Sequence, residues 1–159
     1  MYTVNEYMTV LEESSSIPRL VEIQSYDVSN SILESPAKLA GLIKETVNIQ
    51  ARAEEYVYLV LLSSRNEVVG LCELSHGTVS CAPVSNREIM LKALLCGAVK
   101  VALVHNHPSG VVEESKDDVD VFESVQNAGR LVNIEVVDSI IVAKNEYKSL
   151  AFGVRGNVV

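Results

Sequence analysis

Two stretches of the chain, 56–62 (YVYLVLL) and 100–105 (KVALVH), are apolar almost without interruption over the length of a strand. That pattern belongs to strands covered on both faces rather than to half-exposed ones. After the first stretch, Ser63-Ser64-Arg65-Asn66 supplies a turn and 68–74 (VVGLCEL) returns, so the pair reads as a hairpin. A further strand is expected at 136–143, with a short strand or tail over 144–159. Gly77 and Pro83 bracket one more short strand. Helices are announced by their starts. Ser35-Pro36 places an N-cap before a proline in the first helical position, and Leu39, Leu42, Ile43, Val47 and Ile49 carry the helical spacing to about residue 52. Ser85 and Glu88 form a capping box opening a helix over 87–98, with Gly97 near its stop. A third helix runs over 116–128 and is expected to end at Gly129. Residues 17–23 read as a short edge strand with Pro18 near its beginning. Residues 1–16, polar, mixed and closing on three serines, read as a loose arm. This order of elements predicts an α/β or α+β domain, a mixed central β-sheet flanked by helices.

A chain of 159 residues suits one domain of ordinary size, able to bury a core without disulfide or metal staples. Lys+Arg number 13 against Asp+Glu 21, a net charge of −8. A dedicated nucleic-acid binder draws its affinity from neutralised phosphates, and an anionic membrane selects basic surfaces, so both partner classes are disfavoured. The cysteines, Cys72, Cys81 and Cys96, are odd in number and without a C-x-x-C pair, which suits a reducing compartment. No apolar run reaches the ~18 residues of a membrane span. The first residues lack the basic and apolar regions of a signal peptide, so a soluble cytoplasmic protein is expected.

The chemistry concentrates in one segment. His105 and His107 end a buried-looking strand, and side chains two apart on an extended segment share a face. Pro108-Ser109-Gly110 breaks the strand, and Ser115 and Asp118 open the next helix. Separately, each piece has a structural reading: a lone histidine is usually a satisfied core side chain, and S-x-x-D is a helix cap. Together they favour metal, because a cap does not explain paired imidazoles at the mouth of a core strand. Two His and one Asp with a fourth position open is the ligand set of a catalytic zinc site.

The motif H-x-H-x₇-S-x₂-D, with HNHPSG around its histidines, Ala128-Gly129, and VVDSIIV over 136–142, resembles the RadC family, a bacterial branch of the JAMM (MPN+) fold. The resemblance covers about 51–153. It implies a cytidine-deaminase-like JAMM/MPN architecture, with residues 1–50 as an N-terminal arm and helix packing on a core domain of 51–159. It implies zinc (Zn2+) held by His105, His107 and Asp118. It also implies a general base at Glu55, by matching Glu55-Tyr56-Val57-Tyr58-Leu59 to the family's upstream strand, with Glu54 as the one-residue alternative, and an oxyanion donor at Ser115. The activity implied is that of a zinc metallopeptidase cleaving a peptide or isopeptide bond with a zinc-activated water; the substrate would be a peptide or protein. A non-catalytic interaction module and a metal-dependent nuclease linked to DNA repair are the alternatives. Two departures stand out: Ser85-Asn86 replaces the family's usual His-Pro, and Asp138 is followed by Ser139 rather than His. The helix-hairpin-helix region of longer RadC proteins is not recognisable in 1–50, so nucleic-acid association through this chain alone is not expected.

Overall fold

The computed structural model describes residues 1–77 and 84–158. Its scaffold is one mixed sheet of eight strands: β1 (Tyr2–Leu11), β2 (Pro18–Val28), β3 (Glu55–Leu62), β4 (Val68–Gly77), β5 (Lys100–Asn106), β6 (Glu135–Val142), β7 (Glu146–Ser149) and β8 (Arg155–Asn157). They lie in the order β2-β1-β4-β3-β5-β6-β7-β8. β5 is central, antiparallel to β3 and parallel to β6. Three helices, α1 (Pro36–Glu45), α2 (Asn86–Cys96) and α3 (Lys116–Leu131), flank the sheet. The central strands are therefore buried on both faces, as their unbroken apolar runs require. On one face Leu39, Ala40, Leu42 and Ile43 of α1 pack on Val60, Leu62, Ala102 and Val104. On the other, Ile89 and Ala93 of α2 and Phe122 and Val125 of α3 pack on Leu59, Leu61, Val101 and Leu103. This three-layer α/β architecture is consistent with a JAB/MPN-type fold. Among the described residues no helix is long and apolar enough to cross a membrane.

Several boundaries differ from the sequence reading. Residues 1–16 are not a loose arm, since β1 pairs along its whole length with β2 and in parallel with β4 at Glu6 and Leu71. The alternation was masked by Glu6, a carboxylate at a core-facing position. It is buried because the hydroxyls of Tyr26 and Tyr58 donate to it at 2.6 and 2.9 Å. Burial and this carboxylate push both phenols well above their ordinary range. β2 lies at the sheet edge with Pro18 as its first residue, but extends to Val28. α1 stops at Glu45, not near residue 52, because the chain passes through a left-handed residue, Asn48 (φ 46°), before a short 3₁₀ turn at Ile49–Ala51. β4 runs on to Gly77, and the short strand expected between Gly77 and Pro83 falls on 78–83, outside the described residues. The C-terminal segment holds two short strands.

Gly129 is also not a stop. α3 continues to Leu131, and the chain doubles back so closely that a Cβ at 129 would lie 2.3 Å from the Ile134 carbonyl oxygen. The glycine serves the approach of α3 to the start of β6. Gly129→Ala forces backbone to move, and a loss of about 1–3 kcal/mol, the scale of overpacking, is expected in urea unfolding.

Candidate metal centre

β5 carries its buried polar residues, His105 and Asn106, at its C-terminal end, facing the start of α3. That is where an α/β sheet opens a crevice beside a helix N-terminus. His105 is buried, lying opposite Val57 of β3 and beside Ile141 of β6. His107 follows after the strand has ended, its backbone N–H bonded to the Val142 carbonyl. The two Nε2 atoms stand 3.2 Å apart. Asp118 closes the group, with Oδ1 3.1 Å from His105 Nε2 and Oδ2 3.6 Å from His107 Nε2. Among the described residues, this is the group of three His, Cys, Asp or Glu side chains whose ligand atoms converge, all within 4.8 Å of one another.

Two of the three donors, His107 and Asp118, are oriented by a second contact. His107 Nδ1–H donates to the Val111 carbonyl at 2.8 Å, which leaves Nε2 facing the cluster. Asp118 is the third residue of α3 and completes a capping box. Its Oδ2 accepts from the Ser115 N–H at 2.7 Å, and its own N–H donates to Ser115 Oγ at 3.1 Å. The cap and the metal reading of S-x-x-D are thus one arrangement, since the box aims the carboxylate. Burial opposes the charge on Asp118, but the two imidazoles and the Ser115 N–H outweigh it and hold the carboxyl well below its usual range. Asp118 in turn raises the pKa of His107 above the ordinary imidazole value, against the effect of burial.

The donor set fits a divalent ion. Bonds of about 2.0–2.1 Å to a tetrahedral zinc separate neighbouring ligand atoms by roughly 3.3 Å, close to the spacings here. Two imidazole Nε2 atoms and a carboxylate facing one point, with His107 and Asp118 steadied from behind, is the construction of a metal site with a supporting shell.

Glu55 and Val57 share the face of β3 that carries His105 on β5, the face covered by α2 and α3. Burial raises the Glu55 carboxyl pKa, the imidazoles of His105 and His107 lower it, and Asp118 raises it. Its charge therefore senses the whole cluster. Glu54 is turned away, its carboxylate 3.8 Å from His76 Nε2. Ser115 is exposed and joins the cluster through Asp118. Lys100 lies at the far end of β5, and Lys116 is solvent-exposed. Of the two departures, Ser85 caps α2 while Asn86 Nδ2 donates to Ser124 Oγ of α3 at 2.8 Å, and Ser139 is buried in β6.

The sequence reading missed Asn106. Standing between the histidines, it points to the opposite face and is 1% exposed. An available signal was alternation itself, which puts an amide at a core-facing position where it must find partners. The loop after His107 is also more than a turn: Val112 is buried against Ile141 and Ala143, while Lys148 binds Glu113 and Glu114.

A family model for the RadC-like JAB domain matches residues 33–154. Among curated proteins, the chain is 37% identical over 122 residues to a UPF0758 protein of Rubrobacter xylanophilus, covering 77% of this chain and 53% of the relative. A UPF0758 protein of Desulfitobacterium hafniense is 32% identical over 128 residues, covering 80% and 56%. One of Clostridium tetani is 28% identical over 146 residues, covering 92% and 61%. The chain thus spans little more than half the length of the curated relatives it matches. With this coverage and a mixed sheet of matching type, the chain belongs to the RadC-like JAB domain family.

Proposed function

We propose that this chain is a zinc-dependent hydrolase of peptide or isopeptide bonds. The observation that carries the reading is the convergence of His105, His107 and Asp118 beside a half-buried carboxylate, Glu55, on the same side of the sheet. These three side chains would hold the ion. When bound, zinc in such an open site supplies Lewis acidity and brings the pKa of water down to about 7. Glu55 is the general base in this reading. Its partial burial raises its proton affinity, which suits a group that must take a proton and return it to a leaving amine. Ser115 accepts from the Asp118 N–H, so its own hydroxyl hydrogen remains available to an oxyanion. The peptide class, rather than a phosphodiester, is supported by the charge around the cluster. Lys116 is solvent-exposed, Lys100 sits at the far end of the strand, and the chain carries −8 overall.

Zinc at one per chain is expected by elemental analysis after reconstitution, with strong loss in His105→Ala, His107→Ala or Asp118→Ala. Circular dichroism should show the fold surviving chelation, because both core layers are apolar and complete without metal. Metal and proton compete for His107, whose pKa in the metal-free chain is raised. Zinc affinity measured by chelator competition should therefore be full at pH 8 and start to weaken, as pH falls, above the ordinary imidazole value of about 6.5. Asp118, held low, stays ionised throughout that window.

Glu55→Gln should retain zinc while turnover in a peptide-library cleavage screen falls by about 10²–10⁴. Glu54→Gln should be nearly silent, since that carboxylate faces His76. Retention of full turnover by Glu55→Gln would remove the base from this mechanism.

The acidic balance also sets an expectation for nucleic acid. Electrophoretic shift with duplex DNA at physiological salt should show only weak association. A sub-micromolar affinity there would favour the nuclease reading instead.

A further inference from the structure

The ladder between β3 and β5 ends at Val57 and His105. Beyond that point β5 continues to pair with β6, Asn106 lying opposite Val142 and the His107 N–H bonding to the Val142 carbonyl, but its ladder with β3 has ended. The first residues of β3 would therefore lose their main-chain partners on this side just where Glu55 must be held. The Asn106 side chain takes the vacated place. Its Oδ1 accepts from the Tyr56 N–H at 2.7 Å, and its Nδ2 donates to the Glu54 carbonyl at 2.9 Å and reaches the Arg52 carbonyl at 3.5 Å. These bonds grip the peptide groups on either side of Glu55, from a residue itself flanked by two cluster histidines. The side chain is 1% exposed, so water does not compete for the same groups.

We infer that Asn106 is a positioning residue for Glu55: its buried amide fixes the backbone at 54–56 relative to the His105/His107 strand end, and thereby sets where the Glu55 carboxylate sits against the cluster. An amide suits this task because it offers an acceptor and a donor at once, matching an N–H and a C=O two residues apart. Neither Asp nor Ala can replace both contacts. The histidines carry their own support, from the strand ladder and from Val111, so Asn106 is not needed to aim them.

The inference rests on Glu55 acting as the base, and the experiment separates the two. Zinc-loaded wild type, Asn106→Ala, Glu55→Gln and the double variant are compared by amide hydrogen exchange, by chelator competition for zinc, and by hydrolysis of a cleaved member of a quenched-fluorescence peptide library. In Asn106→Ala the Tyr56 amide should exchange at least about tenfold faster while Val60 and Leu61 in mid-strand keep wild-type protection. Zinc affinity should stay within about threefold, and kcat should fall by about tenfold to a hundredfold at nearly constant KM, the scale of a small misplacement of a reacting group. Added to Glu55→Gln, Asn106→Ala should cost nothing further, because the two act as one unit. Unchanged Tyr56 exchange, a large loss of zinc affinity, or additive losses in the double variant would each overturn the inference. Should the alanine variant not fold, Asn106→Asp keeps the shape and the acceptor but loses the donor. It should lower kcat without releasing zinc, and wild-type turnover there overturns the claim equally. If Glu55→Gln alone leaves turnover intact, it is the base assignment that fails; exchange and zinc affinity still decide whether Asn106 holds the segment.

Discussion

A strand covered on both faces cannot end in consecutive polar side chains unless each of them is partnered, because burying an unpaired amide or imidazole costs about as much as several apolar contacts supply. β5 is such a strand, and the residues at its end send their side chains to opposite layers. His105 goes to the side of α2 and α3 and finds Asp118, and Asn106 goes to the side of α1 and finds the backbone at 54–56. The arrangement of the site follows from satisfying these groups. The helix start, the loop before it and the first residues of β3 are all drawn to one strand end, because each supplies a partner that the strand's polar terminus requires.

The loop between β5 and α3 is the part that local propensity would leave loose, and it is held from three directions. Val112 is fully buried against Ile141 and Ala143. Lys148 pairs with Glu113 and Glu114, and Arg155 donates to Glu113 at 2.8 Å. Exposed ion pairs contribute little singly, so the buried valine supplies most of the anchoring and the charges fix direction. The result is functional geometry: the Val111 carbonyl, next to the buried valine, is the acceptor that orients His107, and the loop delivers the chain to Ser115 in the conformation a capping box needs. A capping carboxylate normally spends both oxygens on the helix start and solvent. Asp118 gives its Oδ2 to the Ser115 N–H and still presents both oxygens to the imidazoles, so helix formation and site assembly share one side chain.

What the sequence disclosed depended on whether a residue's neighbours in space were also its neighbours in pattern. β3, β5, the capped starts of the helices and the group His105, His107 and Asp118 were legible, since apolar runs, cap chemistry and i, i+2 spacing are local signals. β1 was not, because Glu6 looks like a break in alternation until Tyr26 and Tyr58 are seen beside it, 20 and 52 residues away in the chain. Gly129 looked like a helix stop, whereas its missing side chain answers to the Ile134 carbonyl after the turn. The end of α1 depended on the left-handed conformation of Asn48, which an apolar period running through Val47 and Ile49 concealed. Asn106 was visible but mute: its partners lie 50 and 52 residues back, on backbone that no side-chain pattern describes.

The same distinction bears on the two departures from the family's usual pattern. Asn86 ties α2 to α3 through Ser124, on the helix that Asp118 begins. Ser139 lies beside Leu103 on β6, two residues before the Ile141 that neighbours His105, and its N–H donates to Asp138 Oδ1 at 2.8 Å. Asp138 is itself buried, and it accepts from Ser149 Oγ at 2.7 Å and the Ala151 N–H at 3.1 Å, gathering the turn after β7 onto the sheet. Burial raises its carboxyl pKa and these three donors oppose the rise, so the turn is held by a carboxylate fully enclosed in hydrogen bonds. Asn86 thus ties α2 to α3, and Ser139 sits beside the carboxylate that gathers the turn after β7; neither is among the converging ligand atoms. A change at Asn86 acts on the cluster through the helix that Asp118 begins, while His105 is held in β5 and His107 by the Val142 and Val111 carbonyls.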